Sequence, residues 1–241
     1  MLPLDDRAYR RLLAIAVGFG VTGGVFALAY SLITGWGIDL FFSEPTSDLL
    51  SGQWWWIPLI GAGALLVTWL RARTGTDGDV PGAVAYARAG WVEPSSAFSL
   101  VAISAISLIV GASLGPSFGV IVSGGGFAAW IVSRFPDTAG EERKAYSLTG
   151  MAGALGAVFA APLFAAVMTS ELSPMPKRAY VAAIIPQFIA ATLGFIIFFG
   201  VTGAQMLDSF HVDGYVFESW HLVAAVPLGL ASAFILLLHV A

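Results

Sequence analysis

Two short segments carry residue types and spacings that could hold an ion. In Asp77-Gly78-Asp79-Val80-Pro81 a proline follows glycine and acid. Proline suits the first position of a helix, where its missing N–H would have no partner. The glycine lets backbone N–H groups approach an ion. A helix N-terminus carries roughly half a positive charge and free N–H donors, so the chemistry on offer is anion binding. Asp79 could equally serve as the cap of a short helix, and on local sequence that is the plainer reading. The second segment, Ala112-Ser113-Leu114-Gly115-Pro116-Ser117-Phe118-Gly119, repeats the logic. A Gly-Pro turn feeds a helix N-terminus, with an ordinary proline kink as the alternative. Ser123-Gly124-Gly125-Gly126 follows on the same helix. Each of these glycines costs roughly 1 kcal/mol in helix propensity, so they predict close backbone contact with a neighbouring helix.

A third stretch, residues 149–163, is a run of glycine and alanine that ends at Pro162. It predicts a packing helix. Glu171 closes the helix after it and reads as a snorkelling or capping residue. No enzyme constellation is present. His211, His221 and His239 form no ligand pair at helical spacing, and Ser113 and Ser117 have no histidine nearby in sequence. Cysteine is absent, which removes disulfides, thiolate metal sites and cysteine nucleophiles. The chain is therefore expected to be no enzyme and to carry no cofactor.

The elements that must position these segments follow from composition. Of 241 residues, 58% are hydrophobic and 11% charged. A soluble domain carries about 25% charged residues, so too little polar surface exists for one here. Disordered chains are apolar-poor, which excludes that class as well. The net charge of −4 gives no basic footprint for nucleic acid. An integral membrane protein remains.

Apolar runs at residues 12–34 and 54–70 are each long enough to approach a bilayer crossing of about 20 residues. The first follows Arg7, Arg10 and Arg11 and is long for the core of a signal peptide. The second is entered by Trp54-Trp55-Trp56 and closed by Arg71 and Arg73. Three indoles in a row suit a membrane–water boundary, with a buried aromatic cluster as the alternative. Residues 35–53 hold Asp39, Glu44 and Asp48 but no Lys or Arg. The positive-inside rule then places the N-terminus and Arg71/Arg73 in the cytoplasm and residues 35–53 outside. Residues 80–89 are too short to cross. Residues 95–113 and 117–133 are two apolar runs broken at Leu114-Gly115-Pro116, and residues 146–161 and 162–170 are broken at Pro162. Irregular backbone at membrane depth must line a cavity or lie buried in protein, and broken helices are typical of transporters and channels. Lys177 and Arg178 precede a span at 179–200. An acidic loop with Asp208, Asp213 and Glu218 follows, and a last span starts near Trp220. These agree with the same orientation. The reading is one transmembrane domain over 1–241, ending in apolar sequence as an N-terminal fragment of a longer protein would.

Taken in order, these segments resemble the N-terminal half of the chloride channel and transporter (CLC) family. The family's Gly-Ser-Gly-Ile-Pro falls on Asp77-Gly78-Asp79-Val80-Pro81, and its Gly-Arg/Lys-Glu-Gly-Pro falls on Ala112-Ser113-Leu114-Gly115-Pro116. Residues 150–163 look like its glycine/alanine helix ending in Asn-Ala-Pro-Leu. The resemblance implies an all-α fold of broken and tilted helices, here the first half of an inverted repeat plus the next helix. It implies an anion path near Gly78, Asp79, Val80, Pro81, Leu114, Gly115, Pro116, Ser117 and Phe118, with chloride or a similar anion as the ion handled. It also implies a homodimer, with the helix at 179–200 in its interface. The departures are equally informative. Gly78 stands where the family has an anion-touching serine. Asp79 replaces a glycine. Leu114 replaces the gating glutamate, and Leu172 the internal proton glutamate. The expected activity is passive anion conduction without proton coupling, in a prokaryotic plasma membrane. A membrane protein that kept the fold and lost the ion site is the alternative, as is transport of another solute, even a cation drawn to Asp77 and Asp79.

Overall fold

The computed structural model describes residues 7–42, 54, 56–74, 83–112, 115–135, 140–173 and 177–203, and the short helical stretches 219–220, 223–224 and 226–230. The described secondary structure is helical, with no strand. In chain order the helices are α1 (Arg7–Phe42), α2 (Trp56–Thr74), α3 (Ala83–Ala89), α4 (Pro94–Ile109), α5 (Ser117–Val132), α6 (Gly140–Phe159), α7 (Pro162–Leu172) and α8 (Lys177–Thr202). The chain divides into two compact units, Met1–Leu207 and Asp208–Ala241. All eight helices belong to the first.

Helix lengths separate the two classes of element expected from the sequence. At 1.5 Å per residue, α1 is about 54 Å long, well beyond a hydrocarbon core of about 30 Å. Among the described residues two helices, over Tyr9–Phe42 and Tyr180–Thr202, are long and apolar enough to cross. By contrast α4 and α5 have 16 residues each and α7 has 11, all too short to cross alone. The broken pairs are therefore real features of the fold.

Several boundaries differ from the sequence reading. α1 runs on through Gly35 to Phe42, so Asp39 lies on a helix, where an external loop was expected. Nothing between Thr34 and Phe42 breaks a helix: the segment holds no proline, and its glycines sit among apolar residues. α6 begins at Gly140, so Arg143 and Lys144 belong to its first turns.

α6 is the centre of the first unit. Every residue from Tyr146 to Val158 is buried. Its small side chains let α1, α5 and α8 come in at backbone distance. A Cβ on Gly150 would strike the Gly124 carbonyl of α5, and one on Gly156 would strike the Ala191 carbonyl of α8. The three consecutive glycines meet three different neighbours: Gly124 the α6 backbone, Gly125 the Met151 side chain, and Gly126 Ala97 of α4. The close backbone contact predicted for the run is present at Gly124, whereas Gly125 and Gly126 meet side chains. Val92, Leu100, Ile121, Leu148, Met151 and Leu155 fill the spaces between as one apolar cluster.

Two polar links stitch the helices. Tyr30 of α1 and Ser104 of α4 share a buried hydrogen bond of 2.8 Å between their hydroxyls. Gln187 of α8 is fully buried, and its Oε1 accepts from Thr169 at 2.9 Å and Ser170 at 2.5 Å on α7. α2 is peripheral. Only Gly63 is buried among its residues, against Val110. Trp54 and Trp56 are exposed, which favours the boundary reading of the tryptophan run over a buried cluster. On α8 one face is buried through Ala183, Gln187, Ala190, Ala191, Gly194 and Phe198. The other leaves Val181, Phe188, Ile196 and Phe199 exposed.

Candidate anion path

The second segment is described from Gly115 onward, and its geometry starts with the end of α4. Gly111 takes a left-handed φ of +92°. Its N–H bonds to the Leu108 carbonyl at 3.0 Å, and the Ala112 N–H bonds to the Ser107 carbonyl at 2.9 Å. This pair of bonds is a Schellman motif, in which glycine takes the left-handed position without a Cβ penalty. α4 therefore stops at Ile109, four residues before the end expected at Ser113. The break in the apolar run is wider than Leu114-Gly115-Pro116 alone.

The chain re-enters a helix at Pro116. Its φ of −67° and ψ of −14° are already helical, and its carbonyl accepts from the Val120 N–H at 3.2 Å. Ser117, Phe118 and Gly119 occupy the first three helical positions, whose N–H groups have no acceptor inside a helix. Gly115 is exposed, Pro116, Ser117 and Phe118 are half-buried, and Gly119 is buried against the Tyr30 ring. The result is a positive helix end with three N–H groups that lack an intrahelical acceptor and one hydroxyl, able to hold a small anion.

Phe118 fixes this end in place. Its ring lies 6.0 Å from that of Tyr86, and it packs on the central apolar cluster. Tyr86 belongs to α3, whose first residue comes two positions after Pro81. The structure thus brings together the helices that follow the two segments. Gly78, Asp79, Val80, Pro81 and Leu114 lie outside the described residues. So do the three histidines.

The sequence places a second proline break at Pro162, after a packing helix, and the structure has it. Between α6 and α7, Ala160 has φ +50°, and Pro162 occupies the first turn of α7. The Ala161 carbonyl accepts from Ala165 at 3.0 Å. Glu171 is exposed and accepts from the Tyr180 hydroxyl at 3.1 Å, in keeping with a surface role. The Gln187–Thr169–Ser170 link was not legible beforehand, because a lone glutamine in an apolar helix gives no hint of its partners. No group of three or more His, Cys, Asp or Glu that could hold a metal occurs among the described residues.

The sequence profile described as "Voltage gated chloride channel" matches residues 62–238. The chain belongs to that family. The CLC match covers both ion-site segments and every helix from α3 to α8, so it stands on the same residues as the geometry. An uncharacterized protein, MJ0305, of Methanocaldococcus jannaschii is 36% identical over 67 residues. That alignment covers 28% of this chain and 17% of the relative. No solved structure matches the chain. The CLC assignment makes this an all-α polytopic membrane protein.

Proposed function

We propose that this CLC-family chain forms part of a passive path for chloride or a similar small anion, without proton coupling. The observation that carries the reading is the α5 N-terminus. Its first N–H groups, which lack an intrahelical acceptor, sit beside the Ser117 hydroxyl, and Phe118 holds this end against Tyr86 of α3. Two residue identities support the absence of proton coupling. Leu114 and Leu172 stand where exchangers of the family carry glutamates, and leucine has no group to titrate. Arg7, Arg10, Arg11, Arg71 and Arg73 support a cytoplasmic N-terminus. The exposed apolar face of α8 supports contact with lipid or with a second copy in a homodimer. The plasma membrane of a prokaryote is the proposed location.

One observation favours a second reading. Asp79 places a carboxylate where the family has glycine, and Gly78 lacks the hydroxyl of the family serine. A protein that kept the fold without conduction would tolerate both. The deciding experiment is chloride efflux from liposomes containing the protein, with external pH recorded throughout. Chloride release with no proton movement is the expected result. Proton movement driven by the chloride gradient would overturn the passive path, and a cation-following reversal potential would overturn the anion. A silent but folded protein would overturn conduction by this chain alone, the same assay on a chain with a second half then separating an incomplete path from a non-transporting protein.

A further inference from the structure

A cavity of about 600 Å³ opens where α4 begins, α5 ends and α6 begins. That volume falls in the range of small-molecule sites, about 300–1,000 Å³. Its walls include Glu93, Ser95, Ser133, Arg143 and Lys144, with Trp91 at the side. Among the described residues, two cations and one carboxylate line it. The Arg143 Nε is buried and has no hydrogen-bond partner. Being buried, that nitrogen does not face the cavity, and it is the rest of the Arg143 side chain that lines it.

The helix ends around it add partial charges. α4 starts at Pro94 and α6 at Gly140, so two helix N-termini add partial positive charge, against the one C-terminus of α5. The Ser133 hydroxyl is already spent on the Trp130 carbonyl at 2.8 Å. Glu93 is the opposing charge. Its Oε2 lies 3.4 Å from the Trp91 indole nitrogen, and its backbone carbonyl accepts from the first turn of α4. We infer that this cavity is a binding site for a phosphate group, held by Arg143 and Lys144. A guanidinium fork matches two phosphate oxygens, and the lysine adds a point charge. A halide would leave most of the cavity empty.

Phosphate could come from a phospholipid headgroup or from free phosphate. The setting favours the headgroup. Three apolar helices end here, and the Arg134 guanidinium stacks 3.7 Å over the Trp130 ring next to Ser133. Such a tryptophan–arginine pairing suits a membrane–water boundary, and basic pockets between transmembrane helices on the cytoplasmic side take anionic headgroups. The site is separate from the α5 N-terminus and does not rest on the anion path.

The test uses the detergent-purified protein with three probes: phosphatidic acid, phosphatidylcholine and inorganic phosphate, with binding read by native mass spectrometry and thermal shift. Phosphatidic acid is expected to bind and phosphatidylcholine to bind at least about tenfold more weakly. The Arg143→Gln/Lys144→Gln double variant should lose about tenfold or more in affinity for phosphatidic acid. Glu93→Gln should bind more tightly, an outcome that misfolding cannot mimic. Inorganic phosphate binding with the same variant pattern would support the site and identify a free-phosphate source. Unchanged affinity in the double variant, weaker binding in Glu93→Gln, or no binding of either phosphate probe would overturn the proposal.

Discussion

Ala160 holds a backbone conformation that its own Cβ resists. Its φ of +50° is the left-handed region, which costs an L-residue roughly 1–2 kcal/mol. The turn must be made, because it carries the chain from α6 into Pro162 at the start of α7. In the Asn-Ala-Pro-Leu turn that this stretch resembles, asparagine holds the equivalent place, and asparagine tolerates that region better. Ala160→Gly is therefore expected to raise stability by about 1 kcal/mol, read as a higher unfolding midpoint in detergent. A lower midpoint would mean that the methyl group packs well enough to outweigh the strain. Alanine is the best helix former, so its identity alone concealed this strain. Leu114 poses the opposite case, an identity that speaks where geometry does not. In Leu114→Glu the new carboxyl is neutral below its usual pKa near 4.3 and negative above it. Anion flux should then fall about tenfold or more as pH rises from about 4 to 7, since a like charge in the path costs more than about 1.4 kcal/mol. The unsubstituted protein should show no such slope. Flux in the variant that ignores pH would place residue 114 off the path.

At the scale of elements, small residues decide how close the helices come. A Cβ on Gly194 of α8 would land on the Gly153 carbonyl of α6, and one on Gly153 would lie 2.8 Å from the Phe19 carbonyl of α1. Three backbones meet there with no side chain between them. Gly194→Val is expected to cost about 1–3 kcal/mol or more, because a carbonyl in a packed helix cannot step aside. Gly18→Ala is the control. Its Cβ would meet nothing within 4 Å, and the gain in helix propensity should leave stability equal or slightly higher. Thermal denaturation of both variants in detergent checks the pair, and equal midpoints would show that close approach at Gly194 is not what holds α8. Patterning along the chain foretold that glycines would pack. It could not say that Gly18 faces open space while Gly20 faces Ala190, because that depends on which helices become neighbours. The end of α4 was misplaced for a related reason. Val110, Gly111 and Ala112 continue an apolar run, and only the left-handed turn at Gly111 ends the helix there.

For the molecule as a whole, the absence of titratable side chains at 114 and 172 predicts how flux responds to a proton gradient. A pH difference imposed across the liposome should leave the chloride flux unchanged, and chloride driven uphill by protons would overturn that expectation. The sequence by itself determined the class of protein. With 58% hydrophobic residues against 11% charged, burial in lipid is the environment that matches the surface. Pro116 and Pro162 also marked α4–α5 and α6–α7 as interrupted, although α4 is ended by Gly111 and α8 runs on through Pro186. Tertiary structure alone decided what those interruptions face. Phe118 touching Tyr86, Gln187 reaching across to Thr169 and Ser170, and Arg143 lining one cavity with Glu93 all join residues far apart in the chain. The physical reason is that periodicity records which side of a helix is apolar. Partners are chosen by packing among helices, and in a chain apolar on nearly every face that record is almost uniform.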